Sequence, residues 1–248
     1  MPVLTDAAGE QRWNAAALAE RPVRAQARVW RWPQPAIVLG CGQRRLLPDV
    51  QQRLATLPGS PVEVLVREAG GGAVLVGPWL IGVSLLLPTV DPRAGRSPTD
   101  GYRWLALRLV EALRAAGCPA RTLPPAVLAG HQDDASLSWA CYGGLSAWEI
   151  VDEAGRKLVG LAQRRTRDAV LVVAGVLATP PDWPLLSAAL GRPDDAARLA
   201  GNTSACLPAG ADIGPLAEAI EAAVDPAQAE LVAGPATGRA DGAATLGA

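Results

Sequence analysis

Apolar and polar positions along the chain follow two periods. Val62, Val64 and Val66 recur every second residue, and a period of two also runs through the segment that holds Lys157, while Trp148–Asp152 and Ala169–Leu177 are set off by turns. A period of two places side chains on opposite faces of a strand. Strands are therefore predicted over Pro61–Glu68, Trp148–Asp152, Arg156–Arg165 and Ala169–Leu177. Leu80–Leu87 is apolar throughout except for Gly82 and Ser84, the pattern of a strand covered on both faces. Shorter strands are expected at Val23–Trp32, Ala36–Leu39 and Ala73–Val76, with a further extended run at Leu137–Tyr142. Helical spacing is clearest over Thr99–Gly117, where Leu105, Leu109, Ala112 and Leu113 form a stripe. Ser97 or Thr99 can cap this helix, Pro98 precedes it and Gly117 ends it. Ala7–Glu20 reads as a helix with Trp13, Ala16, Ala17 and Leu18 as its apolar positions. Pro48–Leu57, Trp183–Leu190, Asp194–Ala200 and Asp212–Val224 read as shorter ones.

Asp152-Glu153-Ala154-Gly155 and Arg167-Asp168 supply turns between the last three strands, which makes them sequential and antiparallel. Strands grouped in hairpins, with helices between the groups, predict an α+β fold: a mixed, largely antiparallel sheet flanked by helices. Residues 1–225 are expected to form one domain. Residues 226–248 are rich in Ala, Gly and Pro, with few core formers, and are expected to be a disordered tail.

Composition removes several classes of function. Half of the 248 residues are hydrophobic and the net charge is -1, so nothing draws the chain to nucleic acid or to a membrane surface. Cys41, Cys118, Cys141 and Cys206 are scattered and His131 is the one histidine, which argues against a metal site or a disulfide framework. Met1–Glu10 lacks the pattern of a signal peptide, and the expected compartment is the cytoplasm. Phenylalanine is absent and the basic residues are arginines, save one: Lys157. A site that needs a compact ammonium cannot accept a planar guanidinium. Lys157 is thus a candidate functional group, against the alternative that a surface lysine survived by chance.

Three segments could carry chemistry. Arg67-Glu68-Ala69-Gly70-Gly71-Gly72-Ala73-Val74 lies between two predicted strands. Its glycines suit either a flexible turn or a backbone cradle for an anion. Alternation places Lys157 on one face with Val159, Leu161 and Gln163, where an ammonium needs an anionic partner unless it snorkels to water. Ala140-Cys141-Tyr142-Gly143-Gly144 offers a thiol, either a nucleophile or a small buried side chain. His131, in a polar loop, reads as solvated.

In order, Arg-x-x-Gly-Gly-Gly-Ala-Val (67–74), Cys-Tyr…Ser-x-Trp-Glu (141–149) and Arg-Lys-Leu-Val-Gly-x-Ala-Gln-Arg-Arg (156–165) resemble the lipoate–protein ligase A, octanoyltransferase and biotin ligase superfamily. The resemblance covers Trp13 to Leu190 and includes Trp30-Arg31-Trp32 and Leu39-Gly40-Cys41-Gly42-Gln43. It implies that superfamily's catalytic-domain fold and an apolar slot for a lipoyl or octanoyl chain. In the ligases, ATP with Mg makes an acyl-adenylate, and the acceptor is a lysine of a lipoyl domain or glycine-cleavage H-protein. Carried over by motif, Lys157 contacts the acyl carbonyl and phosphate. Gly70, Gly71, Gly72, Ala73, Val74 and Gly160 line the acyl-adenylate, and Arg67 and Gln163 hold its polar ends. The chain departs from the ligase pattern at Val76, where histidine is usual, and at Val66 and Ala69, where arginine and Ser/Thr are usual. It also has no room for the ligases' accessory domain, which points to an accessory chain if ATP is used. The resemblance offers two alternatives. Cys141 aligns with the nucleophile of an octanoyltransferase branch that needs no ATP, and the chain could instead be a non-catalytic ligand-binding member.

Overall fold

The three segments predicted after residue 148 fold as consecutive antiparallel strands, and the continuously apolar Leu80–Leu87 is in the strand beside them. A computed structural model describes residues 1–59, 62–129 and 135–227. Pro61, His131 and all but the first two residues of the expected tail lie outside the described residues. In chain order the elements are β1 (Val3–Leu4), α1 (Ala7–Ala19), β2 (Gln26–Arg31), β3 (Ala36–Leu39), α2 (Leu47–Leu54) and β4 (Glu63–Val66). Then come β5 (Val74–Val76), β6 (Leu80–Pro88), α3 (Pro98–Ala115), β7 (Arg121–Thr122), α4 (Pro125–Leu128) and β8 (Ile150–Val151). The described chain finishes with β9 (Lys157–Arg165), β10 (Ala169–Leu177), α5 (Trp183–Ala189), α6 (Ala196–Asn202) and α7 (Gly214–Val224).

Two sheets form. The larger has the order β1-β2-β6-β10-β9-β8-β7 and the smaller β4-β3-β5. Among the strands of the described residues only β1–β2 and β3–β4 pair in parallel, so the fold is α+β with a mixed, mostly antiparallel sheet flanked by helices. β10 lies at the centre, in register with β6 from Ala169↔Pro88 to Leu177↔Leu80 and with β9 from Val170↔Arg165 to Val176↔Val159. Every residue of β6 is buried, as its continuous apolar pattern predicts. One face of the large sheet carries α3 and α7, with Leu105, Leu109, Leu216 and Ile220 packed on Val83, Leu85 and Val172. The other face meets the small sheet and α5 through Trp30, Leu80 and Tyr142 against Ile37, Leu75 and Trp183. No helix among the described residues is long and apolar enough to cross a membrane.

Three sequence expectations need correction. Leu137–Tyr142 is not a strand. A 3-10 turn at Ala135–Leu137 is followed by a turn in which Ala140 N–H donates to Leu137 O, and a single bridge joins Ala140 to Ala73. The predicted strand Trp148–Asp152 shortens to Ile150–Val151, because Trp148 takes a left-handed φ of 70° that no strand accommodates. The buried stripe of α1 is Ala7, Glu10, Asn14 and Ala17, while Ala16 faces solvent and Trp13 is half-buried, edge-on to Trp30. Two of the four positions on that stripe are polar.

Candidate active site

Where the two sheets face each other they leave a slot. Its floor is Gly160–Ala162 of β9 and Val173–Gly175 of β10; Val38, Val74 and Val76 of the small sheet form its roof. Cys141 and Tyr142 enter it from the loop before β8. Room for them comes from glycine. Gly160 and Gly175 are in register on neighbouring strands. A methyl group at Gly160 would lie 3.1 Å from Cys141 Sγ, and one at Gly175 would lie 2.7 Å from Tyr142 Oη. Tyr142 Oη uses that space to donate to Gly175 O at 2.6 Å. Burial pushes its phenol well above the ordinary value, so it stays neutral.

The glycine triplet seats the cysteine segment. Ala73 N–H donates to Trp139 O and Cys141 N–H donates to Ala73 O, both at 2.8 Å. The two backbones approach so closely that a methyl at Gly72 would lie 2.6 Å from the carbonyl carbon of Ala140. Gly71 has a φ of 90°, a conformation open to glycine at little cost. Gly70 has nothing within 4 Å of its side-chain position. Arg67, 7% exposed, braces this loop. Its Nε and one terminal nitrogen donate to Gly70 O, and that same terminal nitrogen donates to Gly72 O at 2.9 Å.

Lys157 does not snorkel. It is 2% exposed, and its ammonium has three partners for its three N–H groups: Cys141 O at 2.6 Å, Gly144 O at 2.8 Å and Glu149 Oε2 at 2.7 Å. The Tyr142 ring centroid lies 5.6 Å away. Regular alternation would point Lys157 away from Gly160. The register of β9 against β8, however, steps from Val159↔Ile150 to Lys157↔Val151, leaving Leu158 as an extra residue. Such a bulge turns the side chain before it to the opposite face. Lys157 accordingly lies beside Gly160, with Cε 3.5 Å from a methyl placed there, while Val159 and Leu161 join the core under α3. This corrects the expected sharing of a face with Val159, Leu161 and Gln163.

The anion facing Lys157 is therefore the chain's own Glu149, also 2% exposed. Its other contacts are backbone donors: Leu161 N–H at 3.1 Å and Ser146 N–H at 2.8 Å. Burial pushes the Glu149 carboxyl upward, opposed by the Lys157 charge and these N–H groups. The strained Trp148 immediately precedes it.

Cys141, Gly160, Val74 and Arg67 thus line one slot, with Lys157 behind the cysteine loop. Ala73 is fully buried in the bridge to Ala140. Gln163 stands apart: its Nε2 donates to Pro98 O at the start of α3, and it is not part of the slot wall. Glu10, Asn14, Tyr142 and Glu149 were not singled out by sequence. Tyr142 and Glu149 sit inside a quoted motif, but Glu10 and Asn14 carry only the signal of their i,i+4 spacing on α1. Burial pushes the Glu10 carboxyl up to about 7, with Asn14 and Arg67 opposing.

The model of a family described as the lipoyl protein ligase A/B catalytic domain matches residues 8–224. The octanoyltransferase LipM of Kyrpidia tusciae is 30% identical over 150 residues, a stretch that is 60% of this chain and 53% of that protein. This chain therefore spans about half the length of that relative. A crystal structure of lipoate-protein ligase A bound with ATP has a TM-score of 0.63 at 18% identity, over 90% of this chain and 82% of that one. A bipartite lipoate protein ligase from Thermoplasma acidophilum, described with its E2 lipoyl domain, has a TM-score of 0.61 at 16% identity, over 90% and 80%. At these identities the structural likeness is one of fold.

Proposed function

The chain belongs to the lipoyl protein ligase A/B catalytic-domain family, and from that premise we propose that it is an acyltransferase working through Cys141. The observation that carries this reading is the placement of the Cys141 thiol in the wall of an otherwise largely apolar slot between the sheets. A medium-length acyl chain, octanoyl or lipoyl, fills the slot, and its carbonyl meets the thiol. In the first step a C–S bond forms to Cys141 as the C–S bond to the donor carrier breaks, and the thiol proton ends on the departing carrier thiol. In the second, the ε-amine of a lysine on a lipoyl domain or H-protein attacks the thioester. A C–N bond forms, the C–S bond breaks, and a proton from the amine restores the thiol.

Lys157 serves this chemistry by position. Its three N–H groups are spent on the Cys141–Gly144 loop and on Glu149, so it fixes the loop that holds the nucleophile. Transfer from a thioester also suits Val76, which adds an apolar wall where the ligases carry histidine. A second reading, lipoate ligation through ATP and an acyl-adenylate, is favoured by one observation: the triplet is intact and Gly70 is open to a ligand.

Intact mass separates the two. Incubated with an unmodified lipoyl domain and octanoyl acyl carrier protein without ATP, the chain is expected to add one octanoyl group, and Cys141→Ser to add none. Modification that needs free lipoate and ATP, and that survives Cys141→Ser, would overturn the transferase reading in favour of the ligase. Bound acid without modification under either condition would leave a non-catalytic binding protein.

A further inference from the structure

Beyond Val173 the slot adjoins a smaller space, with which it shares Glu10, Gln11, Arg67 and Val173. Asn14 and Glu68 complete its wall together with Ala69 and Leu171, so four of its lining side chains carry a carboxyl or an amide: Glu10, Gln11, Asn14 and Glu68. Glu10 is 7% exposed and Asn14 is 3% exposed, one turn apart on the buried stripe of α1. Asn14 Nδ2 donates to Glu10 Oε1 at 3.2 Å, but Asn14 Oδ1 is buried with no hydrogen-bond partner. A buried acceptor without a donor is costly, and native structures rarely keep one without a reason. Arg67 contributes charge here, but its Nε and one terminal nitrogen are spent on Gly70 and Gly72.

The strand register orders the two ends of the slot. Cys141 Sγ lies over Gly160, which pairs with Gly175. The polar residues meet the slot at Val173, and their own space reaches Leu171. Two residues of strand span roughly 7 Å, so the polar end lies about 7 to 14 Å along β10 from the thiol. That is the reach of a medium-length acyl chain.

We propose that Glu10 and Asn14 form a specificity subsite for a hydrogen-bond donor, an O–H or N–H group, on the end of the acyl chain remote from its carbonyl. The donor satisfies Asn14 Oδ1 and the lone pairs left on the Glu10 carboxylate. The subsite rests on the reading of the slot as an acyl site with Cys141 at its carbonyl end. It adds that the preferred acid is not a plain alkyl one. Glu10 is faced by Arg67 and Glu68 from the glycine loop and by Gln11 and Asn14 from its own helix, while β10 presents only Leu171 and Val173. Because its carboxyl titrates at about 7, preference for the donor-bearing acid weakens from pH 8 to pH 6 as the carboxylate becomes neutral.

The test is calorimetric titration of the full chain with octanoate and with 8-hydroxyoctanoate. The hydroxy acid is expected to bind about tenfold more tightly, the size of one hydrogen bond to a buried group. Asn14→Leu and Glu10→Leu are expected to reverse the order, and Glu10→Gln to weaken it at pH 8 to the level the unaltered chain shows at pH 6. Equal or tighter binding of octanoate by the unaltered chain would overturn the subsite and leave water as its occupant. That result depends on no variant folding. If neither acid binds, the acyl slot itself is refuted, a different outcome from loss of preference.

Discussion

The side chain that stood out by composition proves to be the most tightly held in the site. Lys157 and Glu149 are both 2% exposed and 2.7 Å apart, and their remaining polar contacts are all to backbone. Taking away one member of such a pair leaves the other charged in a poor solvent. Glu149→Leu is therefore expected to cost about 3 to 5 kcal/mol in urea denaturation. Lys157→Arg keeps the charge but not the compact geometry that reaches two carbonyls and a carboxylate at once, so octanoyl transfer should fall at least about tenfold. Full activity in Lys157→Arg would remove Lys157 from the site. Glu10 makes a separate prediction. Its carboxyl lies at about 7 in the folded chain against 4.5 unfolded, so between those values the folded state holds the extra proton. The favourable contribution is complete below pH 4.5 and is lost as the pH rises through 7. Glu10→Gln should match the unaltered chain near pH 4.5 and exceed its stability by about 3 kcal/mol at pH 8, by chemical denaturation at each pH. A gap that stays constant with pH would show that Glu10 is not buried as a titrating group.

At the level of elements, what could be read from the sequence and what could not divide along physical lines. β6, β9, β10 and α3 were legible because each is decided locally: β6 is buried throughout, β9 and β10 over most of their length, and α3 along one stripe at helical spacing. The bulge at Leu158 was not. One extra residue leaves no mark on alternation, yet it moves Lys157 to the slot side and separates it from Gln163. The cysteine segment has the sequence of an extended run, but its one sheet-like contact, Ala140 to Ala73, comes from the residue after the glycine triplet, almost seventy residues upstream. The motif marked both segments without indicating that one seats the other. Gly160 is where this arrangement can be tested. A methyl there would crowd Cys141 Sγ at 3.1 Å, the end of a side chain that can shift, and would touch Lys157 Cε at 3.5 Å, an ordinary contact. Gly160→Ala should thus fold, but with Cys141 displaced and transfer slowed by about tenfold or more. Unchanged iodoacetamide labelling of Cys141 and an unchanged transfer rate in that variant would contradict the packing described.

Across the whole molecule, the slot is the seam between two sheets whose outer faces are already covered. α3 and α7 pack on the far face of the large sheet, and the small sheet meets the near face through Ile37, Leu75, Trp30 and Tyr142. A chain attached to Cys141 would therefore join the two layers as well as fill a hollow. Burying a methylene group is worth about 0.8 kcal/mol, so the hydrocarbon of an octanoyl group offers about 5 kcal/mol as an upper value. In the unfolded chain the same group is exposed to water. Half of that value, at about 2 to 4 °C per kcal/mol for a chain of this size, raises the unfolding midpoint by about 5 to 10 °C. Octanoylation of Cys141 by a small thioester donor, followed by scanning calorimetry, should show this rise, and acetylation of the same thiol should show little of it. Cys141→Ser, treated identically, should show none. Equal midpoints for the acetyl and octanoyl forms would mean that the acyl chain lies outside the slot, and the two sheets would then not clamp the substrate.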